Sequence, residues 1–339
     1  MLRRYLGNYK EFICIADKCP ATCCSGWQIE IDEDSLDRYE NLALPNVDFE
    51  EGCFRQKKNG DCAFLKENGL CQMILDHGEE MLCHTCDQYP RHTEEFFGVR
   101  EYSLSISCPE VARMLVEKKE HIRITEEEDM ELEDEELFEE FDDSLYEALL
   151  ECRLELIELI KDKAISFDEK CKRILLMMKE IQSSLYELEE EEIELQPEKI
   201  DYKKWYQLLY ELEPLNDSFR NEIKKTEETL FQSGSLFHKI KSFQTNHANW
   251  EMVAENLMIY FLYTYLCGSV YDDYVYAMGA QAVYNTAMIM LLWMGRYERK
   301  EDKLSEKEMA EVIYLYSREL EHSTDNVILL EKLLDEFRG

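Results

Sequence analysis

The sequence predicts a mainly α protein in which a cysteine-rich, loop-rich metal-binding N-terminal region packs on a larger all-α helical region. Two observations carry that expectation. Ten of the thirteen cysteines fall between Cys14 and Cys108, and beyond residue 116 the apolar residues recur at helical spacing. The chain therefore divides into a cysteine-rich region over 1–116 and a helical one over 117–339.

Within the first region the cysteines come in close groups: Cys14-x4-Cys19-x3-Cys23-Cys24, then Cys53, Cys62 and Cys71, then Cys83-x2-Cys86, and last Cys108-Pro109. Thiols two to four residues apart can close on one metal centre without backbone strain, and thiolates select zinc, copper(I) or iron–sulfur clusters over hard cations. Neighbours such as Cys23 and Cys24 usually serve different partners. A finger built from two CxxC pairs does not fit, because Cys83-His84-Thr85-Cys86 is the single CxxC. The candidate ligands are Cys14, Cys19, Cys23, Cys24, Cys62, Cys71, Cys83, Cys86 and Cys108; Cys53 is the least clustered and is set aside. These thiols could supply one cubane cluster plus a zinc, two clusters, or one cluster with spare thiols. His77 and His84 are further candidates. Turn elements at Asn59-Gly60-Asp61 and Asn68-Gly69 interrupt any helical period, so loops and short helices are expected, with a short strand over 27–31 where apolar and polar residues alternate.

In the second region Leu145, Leu149, Cys152, Leu156 and Leu159 form one apolar stripe, and Cys171, Leu175, Met178, Ile181 and Leu185 form another. Cys152 and Cys171 on these stripes, and Cys267 inside an apolar run, are expected to be buried hydrophobes. Residues 274–295 carry no charge and reach the ~20 residues that span a bilayer. Gln281, Asn285 and Thr286 lie inside that stretch, and its uncharged neighbour over 256–271 is too short to return across a membrane. A buried pair of helices at the centre of the domain is expected instead.

A formal charge of −36 and an isoelectric point near 4.5 repel nucleic-acid phosphates and anionic membranes and favour a basic partner. The acidity concentrates over 126–143, where thirteen of eighteen residues are Asp or Glu and none is Lys or Arg, and over 187–194. Two readings of these runs stand side by side: a solvated helix face with a linker, or steering of a lysine-rich partner. The first nine residues include Arg3 and Arg4 but no apolar run, so no secretory signal is expected. A reducing cytoplasmic setting follows, in which this cysteine pattern favours metal or redox chemistry over disulfides.

Several motifs are specific in combination. They are Cys14-x4-Cys19-x3-Cys23-Cys24-Ser25-Gly26-Trp27; Cys62-Ala63-Phe64-Leu65 with Gly69-Leu70-Cys71; Gly78-Glu79-Glu80-x-Leu82-Cys83-x-Thr85-Cys86-x2-Tyr89-Pro90-Arg91; and Ser107-Cys108-Pro109-Glu110. Together with Trp250-Glu251-x3-Glu255-Asn256-Leu257 near the C-terminus, they resemble the flagellin lysine-N-methylase family, within a broader group of cysteine-rich zinc- or iron-chelating domains. The resemblance implies methyl transfer from S-adenosylmethionine to surface lysines of flagellin, or of another lysine-bearing protein, in the cytoplasm. It also implies an iron–sulfur cluster, 4Fe–4S in type, with zinc as the alternative metal. No glycine-rich loop follows a strand and the chain has only twelve glycines, so a Rossmann-like cofactor fold is not supported.

Methyl transfer to lysine requires a neutral amine, whereas free lysine is protonated up to a pKa of about 10.4. Carboxylates and phenols can take that proton and orient the nitrogen. Glu79, Glu80, Tyr89, Glu255 and Tyr260 lie in or beside the matched motifs and are the catalytic candidates. Arg91 is the candidate partner of the cofactor carboxylate, with Trp27 and Glu110 as further cofactor-binding candidates. Each also has a plain structural reading: a helix-terminal charge for Glu79 and Glu80, a core phenol for Tyr89 and Tyr260, an ion pair for Arg91. The competing functional class is a non-enzymatic iron or zinc chelator, an electron relay, or a zinc-stapled interaction module for a basic partner.

Overall fold

The computed structural model describes residues 2–128, 141–186, 200–215, 217–232, 234–301 and 303–335. Helices dominate these residues, but the N-terminal half also builds a four-stranded mixed sheet that hydropathy did not reveal. Its strands are β1 (Leu2–Leu6), β4 (Arg91–Phe96), β5 (Val99–Leu104) and β6 (Ile124–Glu128), in the order β4-β5-β1-β6. β1 runs parallel to β5 and antiparallel to β6, where Arg3 faces Glu127 and Arg4 faces Glu126. Arg4 Nε lies 2.6 Å from Glu126. Opposite charges paired across strands favour this register. The start of the first acidic run is therefore a charged edge strand rather than a helix face; its positions 129–140, and the run over 187–194, lie outside the described residues.

A second, two-stranded sheet joins β2 (Val47–Asp48) to β3 (Cys53–Phe54). Residues 27–31 form no regular strand. Glu30 makes a single isolated bridge to Cys53, while Ile29 and Ile31 on the alternate positions are buried. They enter a small core with Tyr39, Phe54, Phe64, Met73, Cys62 and Cys83. Around it lie α1 (Glu33–Asn41), α2 (Gln72–His77) and α3 (His84–Gln88). Asp32 joins two of them: one carboxylate oxygen caps α1 at Ser35 N, and the other accepts from His84 N at 2.7 Å.

The large core takes in Leu6, Phe12, Phe96 and the buried face of α4 (Pro109–Glu117) together with the helical region. That region comprises α5 (Asp143–Lys161), α6 (Phe167–Leu185), α7 (Tyr202–Leu208), α8 (Asp217–Phe231), α9 (Leu236–Asn246), α10 (Trp250–Tyr265), α11 (Val275–Arg299), α12 (Glu306–Glu321) and α13 (Thr324–Leu334). Both apolar stripes read from the sequence are helices, α5 and α6, and Cys152, Cys171 and Cys267 are buried. Among the described residues α11 is the one helix long and apolar enough to cross a membrane, and its most apolar stretch is entirely buried. It packs against α6, α8, α10, α12 and α13. Two glycines permit the close approach: a Cβ at Gly279 would collide with Met178 of α6, and one at Gly295 with Thr226 of α8.

Two buried ionic clusters lock the layers. Arg153 of α5 donates twice to Glu101 of β5, at 2.6 and 2.5 Å, and once to the Tyr263 carbonyl at 3.1 Å. Lys170 of α6 pairs with Glu255 of α10, whose other oxygen lies 2.8 Å from His121 Nε2. Asn256 adds to this second lock, accepting from Ile122 N at 2.9 Å and donating to the Glu120 carbonyl at 3.1 Å.

Candidate functional site

All thirteen cysteines are free thiols. Among the described residues no three Cys, His, Asp or Glu side chains are gathered closely enough to hold a single metal ion. The thiols instead form two looser neighbourhoods. Cys19, Cys23 and Cys108 each sense Cys14, and both Cys23 and Cys19 couple to Cys108. On the other side of the Cys23–Cys24 bond, Cys24 couples to Cys62, Cys71 and Cys86, and Cys83 pairs with Cys86. This second group borders the small core. Adjacent Cys23 and Cys24 stand between the two groups, Cys23 being felt at Cys86 as well, and their thiols hydrogen-bond to each other, an interaction that raises the first and lowers the second to about 7. Cys53 stands apart and accepts from Gln28 Nε2 at 2.8 Å.

Three of these thiols begin helices, and burial raises two of them, Cys71 and Cys108, above the ordinary thiol value. Cys71, Cys83 and Cys108 occupy the N-cap positions of α2, α3 and α4. Backbone N–H groups of the first turn point at them: Met73 and Ile74 at Cys71, Cys86 at Cys83, Glu110 and Val111 at Cys108. Helix N-termini favour thiolate by dipole and by hydrogen bonding. Burial outweighs that help for Cys108, pushing it up to about 11. The chemistry of these sulfur donors suits a soft cation, but their present positions do not gather three of them around one ion.

Beside Cys108 a chain of hydroxyls runs into the helical core. The Tyr89 hydroxyl lies 3.0 Å from Ser107 Oγ, which also hydrogen-bonds to His322 Nε2 at 3.1 Å and to Ser105 Oγ. Ser105 donates to one oxygen of Glu321, and the Tyr260 hydroxyl donates to the other at 3.2 Å. Arg318, one helical turn before His322, donates to the carbonyls of Ser107 at 3.0 Å and Ala21 at 2.7 Å. Trp27 stacks on the His322 ring with centroids 4.6 Å apart, and its indole N–H donates to the Cys23 carbonyl at 2.7 Å. The C-terminal end of α12 therefore ties the cysteine loops, the 105–108 loop and α10 together. Burial pushes the Glu321 carboxyl up to about 6, against the pull of its Ser105 and Tyr260 donors. Burial, helped by Arg318, lowers His322 to about 3, so its imidazole is neutral. Burial raises both the Tyr89 and Tyr260 phenols. A carboxyl that titrates near neutrality at the end of a hydroxyl chain can accept a proton and pass it on.

The structure brings Trp27, Tyr89 and Tyr260 into this one network. The other candidates lie elsewhere. Glu79 and Glu80 sit exposed on a 3-10 turn over Glu79–Met81. Glu255 is the shared acceptor of Lys170 and His121. Arg91 lays its guanidinium over Phe12, 5.5 Å from the ring centroid, and over Tyr9 at 6.0 Å. Glu110 accepts from Arg113 at 2.9 and 2.6 Å, although its charge is also felt at Cys19. Ser105, Glu321 and His322 were not singled out from the sequence, and Ser107 only as part of a cysteine motif. An acid–imidazole pair closing an amphipathic helix is the one sequence signal that could have pointed to Glu321 and His322.

The family model described as the FliB lysine N-methylase C-terminal domain matches residues 153–339, which includes Glu255, Tyr260, Glu321 and His322. The lysine-N-methylase of Salmonella choleraesuis (strain SC-B67) is 26% identical over 131 residues, covering 34% of this chain and 33% of that protein. The lysine-N-methylase of Salmonella typhimurium (strain LT2) is 25% identical over a stretch of the same length and coverage. The flagellar biosynthetic protein FliU of Salmonella muenchen is likewise 25% identical over 131 residues, which cover 78% of it. The match thus spans about a third of the length of the two lysine-N-methylases. No solved structure matches the chain. With more than half of its residues matched by that model, the chain belongs to the FliB lysine N-methylase family.

Proposed function

We propose that the protein transfers methyl groups from S-adenosylmethionine to lysine ε-amines of flagellin, in the cytoplasm before flagellin export. The observation that carries this reading is the Glu321 network, in which Tyr260, Glu321 and His322 lie within the family-matched residues and Ser105, Ser107 and Tyr89 extend it toward Cys108. A lysine ammonium must shed its proton before it can attack, and a carboxyl whose pKa stands at about 6 is a competent acceptor. The amine nitrogen then attacks the sulfonium methyl carbon: an N–C bond forms, the C–S bond breaks, and S-adenosylhomocysteine leaves with the bonding electron pair. Tyr260 and Ser105 hold Glu321 in place, and neutral His322 fixes the Ser107 hydroxyl.

Cys14, Cys19, Cys23 and Cys108 would hold the iron–sulfur cluster nearest this network, and Cys24, Cys62, Cys71, Cys83 and Cys86 form the second donor set, for zinc or another cluster. When bound, a cluster held by all four of the nearer thiols would staple the cysteine loops beside the network, whereas one that left an iron without a thiolate could take the donor's amine and carboxylate. The strong negative charge complements a lysine-rich substrate surface.

Calorimetric titration of S-adenosylmethionine into protein purified without oxygen tests the reading. Saturable, near-stoichiometric binding, with a shift of the iron–sulfur absorption on adding the donor, is the expected result. A chelator or structural zinc module would bind iron or zinc and show no heat with the donor.

A further inference from the structure

Behind Glu321, between α10, α11 and α12, lies a pocket of about 330 Å3 including its open mouth. Partly buried Tyr265 and Glu321 line it together with buried Phe261, Gln281, Asn285 and Ser317. Within it about 20 Å3 is free for a water-sized group. The lining is unusual for a helical core. Phe261 and Tyr265 stack in parallel with centroids 6.3 Å apart, and Ser317, at 1% exposure, has a hydroxyl oxygen with no hydrogen-bond partner. An unpaired buried hydroxyl is destabilising, so a ligand that bonds to it is favoured.

We infer that this pocket receives the terminal ammonium of the substrate lysine, with Glu321 as its counter-ion, Ser317 as a hydrogen-bond acceptor, and Phe261 and Tyr265 as the aromatic walls against its methylenes. The inference rests on the lysine-methylation reading and deepens it by placing the amine. An ammonium is close to water in size, offers only donors, and is attracted to both a carboxylate and aromatic faces. A carboxylate, phosphate or neutral sugar would instead meet the Glu321 charge. The groups facing Glu321 are His92 from β4, Tyr260 and Tyr265 from α10, and Ser105 and Ser107 from the loop before α4. Its titration at about 6 keeps Glu321 anionic at neutral pH while leaving it able to take the proton the amine must lose. That proton passes from nitrogen to a Glu321 oxygen and from there to water.

The test uses n-butylammonium, a lysine side-chain mimic, with n-butanol as the uncharged control, titrated into the full chain by ligand-observed NMR. Wild type should bind the cation at least tenfold more tightly than the alcohol, and binding should fade as pH drops through about 6. Glu321→Gln should weaken cation binding tenfold or more while leaving the circular dichroism spectrum unchanged. Ser317→Ala, which removes the hydroxyl and folds without that unpaired group, should weaken it several-fold. Equal binding by wild type and Glu321→Gln overturns the inference, as does binding of alcohol and cation alike. Flagellin methylation that proceeds while n-butylammonium neither binds nor inhibits also overturns it, and leaves the methylation reading intact. Glu321-dependent cation binding without any methyl transfer supports the pocket and removes the flagellin reading.

Discussion

Glu255 and Glu321 are two carboxylates on neighbouring helices with opposite roles, and their partners set the difference. Glu255 accepts from Lys170 and His121 and holds α6, α10 and the 118–123 loop together. Glu255→Gln leaves the fully buried Lys170 ammonium without its counter-ion, so unfolding free energy should fall by about 3–5 kcal/mol, read from urea melts. Glu321 accepts from the Ser105 and Tyr260 hydroxyls with His92 nearby, and burial outweighs these to raise it from 4.5 to about 6. The folded state therefore holds this proton more tightly than the unfolded state. The stability that protonated Glu321 contributes is fully present below pH about 4.5 and is lost as pH rises through about 6. Glu321→Gln should flatten that part of the stability–pH curve; a curve of unchanged slope between pH 4.5 and 6 would refute the assignment. His322 has the opposite sign. Its depressed pKa gives stability that is present above about 6.5 and lost as pH falls toward about 3, so His322→Asn should lessen acid denaturation in that window.

At the scale of elements, α11 is the axis of the helical region, and its glycines set how closely α6 and α8 approach. Gly279→Ala puts a methyl into Met178, and overpacking of this kind typically costs about 1–3 kcal/mol. Thermal melts should show a lowered midpoint for Gly279→Ala and little change for alanine at Gly268, where a Cβ would meet open space. The helix α12 carries the site at its C-terminal end and is started by a reciprocal capping box between Ser305 and Glu308. Ser305→Ala should cost about 1 kcal/mol without altering cation binding at Glu321, because the cap and the site lie at opposite ends of the helix.

Across the whole molecule, what could be read in the sequence depended on range. The stripes of α5 and α6 were legible because 3.6-residue periodicity is local, and the burial of α11 was legible because a stretch without charge must be covered. The mixed sheet was not, since β1 is five residues with two arginines and its partners lie about a hundred residues away. Tyr89 and Tyr260 stood out through motifs, but nothing local joins them to Ser105, Glu321 and His322, which only the packing of α12 against α4 brings together. The division of the cysteines into two neighbourhoods was foreshadowed by adjacent Cys23 and Cys24 and needed the fold to say which thiol joins which.

The central claim is methyl transfer to lysine, and one measurement meets it directly. Protein purified without oxygen is incubated with flagellin and S-adenosylmethionine labelled in its methyl group, and the flagellin peptides are read by mass spectrometry. The account predicts labelled methyl groups on flagellin lysines with wild type and at least a hundredfold slower transfer with Glu321→Gln, about 2.7 kcal/mol in the barrier. Cluster-loaded, folded wild-type protein that leaves every flagellin lysine unlabelled would contradict it.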